Sequence, residues 1–142
     1  NVESDAILNT GAANMSGNGL NNTIYAGRGN NSIDGGGGSD TVNYLNATTG
    51  GAGVTVSLAI TTAQTTGGSG DDILLSIEHL FESHENDVLT GNALANRLDG
   101  SHGNDILSGG DGDDTLTGGN GPNDSTGFQR ASYDMTLTPM AK

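Results

Sequence analysis

Four aspartates, Asp72, Asp87, Asp105 and Asp114, each close a short turn-forming stretch and stand two residues before a leucine: Leu74, Leu89, Leu107 and Leu116. The stretch from Gly109 to Thr117 reads G-G-x-G-x-D-x-U-x, with U a large apolar residue, and the stretch from Gly67 to Leu75 repeats it in full. Counting back by nines from Gly109 gives the units 100–108, 91–99 and 82–90, whose sixth places hold Asp105, Asn96 and Asp87. An earlier block, 17–25, 26–34 and 35–43, keeps the register with Asn22, Asn31 and Asp40 in that place. Carboxylates beside glycine-rich turns, whose carbonyls are free to point inward, form a store of hard oxygen donors. The chemistry this suits is capture of a hard cation such as calcium, which takes six to eight oxygens at about 2.3–2.6 Å. One turn cannot fill such a shell, whereas two turns stacked one lap apart can, so metal binding would cross-link the chain and contribute to its folding.

The period also dictates the elements that position these donors. Each unit divides into a six-residue turn and a three-residue strand. Glycine supplies the turn's positive φ values and close backbone approaches without a Cβ penalty. In the strand x-U-x the central residue faces one side and its neighbours the other. Two units make one lap of a flattened helix, and successive laps pair as parallel strands. The expected interior is Ile24, Ile33, Val42, Leu74, Leu89, Leu98, Leu107 and Leu116, joined by Leu80. This interior is about one residue wide, so the turns need cohesion from another source. The fold expected is all-β, a parallel roll with an insertion.

The organisation expected is an N-terminal polar segment, 1–16, without a strong pattern; a first repeat block, 17–43; an insertion, 44–66; a second repeat block, 67–126; and a tail, 127–142. The insertion reads as two strands, because Val42 and Tyr44, and then Val54, Val56 and Leu58, alternate with polar residues around a turn-rich connector. Between Asp72 and Asp87 the period falls short of two units, and Ser76-Ile-Glu-His-Leu-Phe81 replaces a full repeat. The final copy, 118–126, has Asn123 in the sixth place with Asp124 beside it, and Ser125 where the apolar residue belongs. A strand is expected in the tail around Tyr133 to Leu137.

Composition agrees with a cation as partner. The 142 residues carry 17 acidic against 4 basic side chains, a formal charge of -13, with 25 glycines and 32% apolar residues. Nucleic acid is excluded as a partner by the lack of clustered Lys and Arg, and an anionic membrane surface is disfavoured for the same reason. No apolar run reaches the length of a membrane span. The absence of cysteine removes disulfides and thiolate metal sites. The chain starts at Asn1 without a charged and apolar leader, and reads as a piece of a longer protein.

The repeats are the established signature of calcium-binding β-helices. The chain resembles the RTX (repeats-in-toxin), haemolysin-type calcium-binding repeat region found at the C-terminal side of serralysin-like proteases and related secreted proteins. The resemblance rests on 17–43 and 67–126, and on the run Val54-Thr-Val-Ser-Leu58, Gly67-Gly-Ser-Gly-Asp71, Ser76-Ile-Glu78 and Leu89-Thr-Gly-Asn92. It implies a right-handed parallel β-roll (a calcium β-helix) holding several calcium ions, secretion to the extracellular space by type I machinery, and folding deferred until calcium is met outside the cell. In the family one turn gives carbonyls two and four with Asp six, and the turn a lap later gives carbonyls one and three with Asp six. Carried over, this joins Ser83, Glu85 and Asp87 to Gly100, His102 and Asp105. It joins Gly68, Gly70 and Asp72 to the turn ending at Asp87, and the turn of Asn96 to Gly109, Asp111 and Asp114. A fourth set is Ser101, Gly103 and Asp105 with Gly118 and Asn123, or with Asp124 after a one-residue adjustment; in the first block Asn22 shares a site with Asp40. Neutral residues at Asn22, Asn31, Asn96 and Asn123 imply graded affinities.

Single residues admit other readings. His79 and His84 with Glu82 between them suggest zinc, but a zinc-protease helix needs His at i and i+4; surface or turn histidines are the alternative, and His102 offers its carbonyl rather than its ring. Glu78 either caps a site above the turn of Asn96 or is an exposed carboxylate. Asp71 and Asp113, and the side chain of Asp111, read as solvated charge, and Thr115 and Thr117 as ordinary strand residues. No constellation for catalysis is found, so the chain itself reads as non-enzymatic. The leading reading is a calcium-binding module of a secreted bacterial protein. The alternatives are the non-catalytic repeat part of a secreted enzyme (a serralysin-like protease, lipase or alginate epimerase), or an adhesin or surface-layer module.

Overall fold

A three-residue strand with one apolar side chain cannot stand alone; it must pair on both edges and bury its central residue against an opposing strand. The computed structural model describes residues 4–6, 12–47, 50–119 and 130–133, and there the chain solves this by winding. One wall is a six-stranded sheet, in the order β1 (Ser4–Ala6), β3 (Thr23–Tyr25), β5 (Thr41–Asn43), β9 (His79–Phe81), β11 (Arg97–Asp99) and β13 (Thr115–Thr117), parallel throughout. The facing wall holds β2 (Ala13–Ser16), β4 (Asn31–Asp34), β8 (Asp71–Leu75) and β7 (Gln64–Thr65) in one sheet, and β6 (Thr55–Ser57), β10 (Val88–Thr90), β12 (Ile106–Gly110) and β14 (Arg130–Tyr133) in another. The chain alternates between walls, and this is the all-β parallel β-roll that the period requires.

Register places the apolar residues in rows. Ile24 pairs with Val42, Val42 with Leu80, Leu80 with Leu98 and Leu98 with Leu116 on the first wall. Met15, Ile33 and Leu74, and then Val56, Leu89 and Leu107, form the rows opposite. All the expected interior residues are buried except Leu116, which is half-buried because β13 is an outer strand of its sheet. The core also takes in Ala26, Tyr44, Ala47, Val54, Val56, Leu58 and Ile77. A row this narrow tolerates no gap. Leu98→Ala, in the middle of one row and fully buried, is expected to cost about 2–5 kcal/mol, read as a lowered denaturation midpoint in saturating calcium.

The structure refines three sequence expectations. Segment 1–16 has no glycine-rich signature, yet β1 and β2 add rungs to the roll, Asp5 pairing with Ile24 and Met15 with Ile33. Val42 belongs to the repeat strand β5, and within 44–66 the strands are β6 and β7. Strand β7 runs antiparallel to β8, with Gln64 opposite Asp72, and Val54 bridges Gly67. Gly67 and Gly70, at φ 81° and 95°, allow that reversal, and Thr66 N–H donates to Gly70 O at 2.8 Å. Third, Ser76–Phe81 stands in for a full repeat as a shortened one: β9 is a full rung, and only the turn before it is short, with Ser76 at φ 53°. In the tail, β14 ends at Tyr133, and residues 134–137 lie outside the described residues.

Candidate calcium-binding turns

The turns stack on each other with the offset of one lap, and the sixth-place side chain makes the joint. Its carboxylate accepts the backbone N–H of the sixth-place residue one lap earlier: Asn22 N–H to Asp40 Oδ1 at 2.7 Å, Asp87 N–H to Asp105 Oδ1 at 2.9 Å, and Asn96 N–H to Asp114 Oδ1 at 2.9 Å. Two further joints span the insertion. Asn31 N–H reaches Asp72 Oδ1 at 2.8 Å, and Asp40 N–H reaches Glu78 Oε2 at 2.8 Å. Glu78 thus stands in the sixth place of the shortened turn, and its carbonyl accepts from Asn96 Nδ2 at 3.0 Å.

At Asp40 and Asp105 one oxygen is used and the other is stranded, whereas both oxygens of Asp72 and Asp87 are hydrogen-bonded. Asp40 Oδ2 and Asp105 Oδ2 are buried without a hydrogen-bond partner. A Cβ at Gly35 would meet Asp40 Oδ2 at 2.5 Å, and one at Gly100 would collide with Asp105 Oδ2. Glycine therefore keeps open the space that the stranded oxygen faces. Where the sixth residue is Asn, the turn closes on itself. Asn22 Oδ1 accepts from Asn18 N–H at 3.0 Å and Asn96 Oδ1 from Asn92 N–H at 2.7 Å. Asn31 goes further: its Nδ2 donates to Gly27 O at 3.1 Å, Gly29 O at 2.8 Å and Asp72 Oδ1 at 3.0 Å. An N–H group there collects the oxygens that a cation would otherwise gather.

Burial without a counter-charge moves the carboxylates in one direction. Asp105 is raised to about 6, first by desolvation and then by Asp87 and Asp99. Asp87 and Asp72 are also raised by desolvation, partly offset by the hydrogen bonds from Val54 and Asn31 respectively. Glu82 is fully enclosed and raised well above its ordinary value by desolvation, Asp87 and Asp105. Tyr44, whose hydroxyl donates to Asp72 Oδ2 at 3.0 Å, is raised by burial and by the charges of Asp72 and Glu82. A calcium ion is the natural relief for such a set. The stranded oxygens and glycine-kept gaps fit one. Among the described residues no three Asp, Glu or His side chains converge on one point, so an ion must draw on backbone carbonyls as well.

The structure brings together some of the sequence-assigned ligand sets and separates others. The turn of Ser83, Glu85 and Asp87 stacks directly on that of Gly100, His102 and Asp105: Asn104 N–H donates to Asn86 Oδ1 at 2.7 Å, and a Cβ at Gly103 would collide with Glu85 O. Asn96 is joined to Asp114, with Gly110 and Gly112 packed on the carbonyls of Asn92 and Leu94. Gly68, Gly70 and Asp72 do not stack on the turn ending at Asp87. They stack on 26–31, with Gly29 N–H donating to Ser69 O at 2.9 Å and Asp71 N–H to Asn30 Oδ1 at 3.0 Å. The reason is the insertion, whose strands β6 and β7 separate β8 from β10; Asp87 Oδ1 instead accepts Val54 N–H at 2.7 Å. Gly118 is described and Gly119 packs on Ser101 O, whereas Asn123 and Asp124 lie outside the described residues.

The histidines are used elsewhere. His79 Nδ1 accepts Arg97 N–H at 3.1 Å, so its proton lies on Nε2, which donates to Ser39 Oγ at 2.7 Å. His84 meets the ring of His102 edge-on at 4.9 Å. Asp71, Asp111 and Asp113 are exposed. Two features are missing from the sequence expectations. Fifth-place Asn21, Asn30 and Asn86 each accept a backbone N–H from the turn stacked on theirs, a role signalled by the recurrence of Asn in that place. Glu82 is the other.

These stacked turns define a class: a parallel β-roll whose laps are joined through cation-type oxygen turns. The RTX calcium-binding nonapeptide repeat matches the chain in four copies, over residues 16–46 and 90–124. These residues carry RTX-type repeats, a non-catalytic structural repeat of a calcium-binding kind, and the chain is similar to RTX-type repeat proteins. A comparison with curated proteins gave no match.

Proposed function

We propose that this roll is a calcium-gated module of a secreted bacterial protein, one that stays open at low calcium and closes outside the cell. The observation that carries the reading is the stranded carboxylate oxygen at Asp40 and Asp105, buried beside glycines that leave room for an ion. The carbonyls of Ser83, Glu85, Gly100 and His102 with Asp87 and Asp105 would hold one ion. Gly109 and Asp111 carbonyls with Asp114 and the turn of Asn96 would hold a weaker one, and Asp40 with the turn of Asn22 another. Asp72 with Gly68 and Gly70 would face Gly27 and Gly29, where the Asn31 amide competes.

Calcium supplies positive charge and a many-oxygen shell. The chain supplies the rest: glycine turns that present carbonyls, carboxylates desolvated enough to attract a cation, and strands that pair once the turns are fixed. At low calcium the net charge of -13 and the freedom of 25 glycines keep the chain open. Closure is expected at roughly 10⁻⁴–10⁻³ M calcium, the range of extracellular modules. Export by a type I system accords with such a threshold, because the chain would travel unfolded through a calcium-poor cytoplasm. Far-ultraviolet circular dichroism during a calcium titration tests the gating: the strand signal is expected to appear with calcium. A fully folded spectrum in excess chelator would overturn it.

A further inference from the structure

The first place of each turn comes directly after a strand and lies against the sixth-place side chain. A Cβ at Gly17, Gly91 or Gly109 would collide with the oxygen of Asn22, Asn96 or Asp114, as at Gly35 and Gly100. A Cβ in this place therefore starts beside the sixth-place donor of its own turn. In the unit 82–90 the place is held by Glu82, and the backbone register is unchanged: Glu82 N–H donates to Asp99 O at 3.2 Å just as Gly100 N–H donates to Thr117 O at 2.9 Å. The neighbouring laps put Ala26 and Tyr44 in the same position, with N–H donated to Asn43 O and Phe81 O at 2.9 Å each.

Glu82 is 2% exposed, and neither carboxylate oxygen has a hydrogen-bond partner. It shares its surroundings with Asp105, whose Oδ2 is likewise unpartnered, and with Asp87. The single ion pair among the described side chains, Arg97 with Asp99 at 3.7 Å, lies elsewhere. A divalent cation would satisfy both oxygens together with the stranded oxygen of Asp105. Both Asp87 oxygens already accept from Ser83 Oγ at 3.0 Å, and Oδ1 also from Val54 N–H, so Asp87 has less to give.

We infer that Glu82 is a side-chain ligand of the cation held between the turns 82–87 and 100–105, sharing that ion with Asp105 and making this the tightest site of the roll. The inference rests on the calcium reading above but goes beyond it, since the repeat pattern provides only carbonyls and sixth-place carboxylates. A glycine in the first place leaves the ion to these; a glutamate adds two oxygens and a full negative charge. Ligand charge is a main determinant of calcium affinity.

The test compares the wild-type chain, Glu82→Gln and Asp113→Asn in calorimetric calcium titrations and in ion counts by mass spectrometry. Glu82→Gln preserves volume but removes the charge, and Asp113→Asn removes one exposed charge from another turn. The expected result is that Glu82→Gln loses the tightest ion or weakens it at least tenfold, with Asp113→Asn close to wild type. Equal counts and affinities in wild type and Glu82→Gln overturn the inference, as does an equal loss in Asp113→Asn. Should Glu82→Gln fail to fold, wild-type crystals grown in calcium decide through anomalous density. An ion about 2.3–2.6 Å from the Glu82 carboxylate supports the assignment, and density without one overturns it. A wild-type chain that takes up no calcium defeats the gating reading itself, whereas normal uptake with Glu82 unliganded defeats only this assignment.

Discussion

Asp87→Asn combined with Asp105→Asn is expected to remove most of the calcium-induced rise in melting temperature and to lower the number of bound ions. Asparagine is the informative replacement, because Asn22 and Asn96 already occupy equivalent places in this roll. The amide oxygen can keep the acceptor role toward Val54 N–H and Asp87 N–H, now at 2.7 and 2.9 Å, so these two backbone donors stay satisfied. What disappears is charge and the stranded oxygen of Asp105. A site filled at a hundred times its dissociation constant stabilises the folded state by about 2.7 kcal/mol, and the double variant should forfeit roughly that amount for each ion lost. In chelator it should be no less stable than wild type, since two desolvated carboxylates are gone. Titration calorimetry and thermal melts with and without calcium measure both. An unchanged ion count with an unchanged melting temperature would mean that metal does not join the laps.

The contrast between Asp and Asn explains how far the sequence could be read. A strict period makes the sixth-place donors and the row of U residues visible, because each copy repeats the same local problem. Ile24, Val42, Leu80 and Leu98 therefore align in space as they do in the written repeat. The insertion hides the stacking of the laps on either side of it. Counting laps along the chain assigns the turn of Asp72 to that of Asp87, but two strands from 44–66 enter the wall between them and Asp72 meets Asn31 instead. No local signal encodes that choice, which depends on β7 turning back against β8. Strands β1 and β2 are invisible in the sequence for a different reason: rungs at the end of a roll are templated by their neighbours and need no glycine turn. Glu82 is hidden because the first place normally holds glycine, so its side chain has no counterpart in the pattern. The Asn31 amide shows the remaining limit, since a residue that looks like a weakened ligand is used as a donor.

The metal-free chain is expected to gain order as the pH falls from about 7.5 to about 5, the reverse of ordinary acid unfolding. Asp72, Asp87 and Asp105 start from 3.8 and Glu82 from 4.5, and burial raises all four in the folded state, Asp105 to about 6. A folded state with raised carboxyl values binds more protons than the unfolded chain in this window, so its stability falls as pH rises. The contribution is fully present below the unfolded values and is lost as pH climbs through the folded ones. A group between its unfolded and folded values contributes up to about 1.4 kcal/mol per pH unit; Asp105, raised to about 6, does so on the acid side of that value, and Glu82, Asp72 and Asp87 act in the same direction. Calcium replaces the protons as counter-charge, so in saturating calcium the acid-side gain should shrink and the calcium-induced stabilisation should grow with pH. Circular dichroism melts of metal-stripped and calcium-loaded protein across pH 5 to 7.5 measure this directly. Metal-free stability that rises steadily with pH would show that these carboxylates are hydrated, not enclosed, and would remove the electrostatic reason for a metal between the laps.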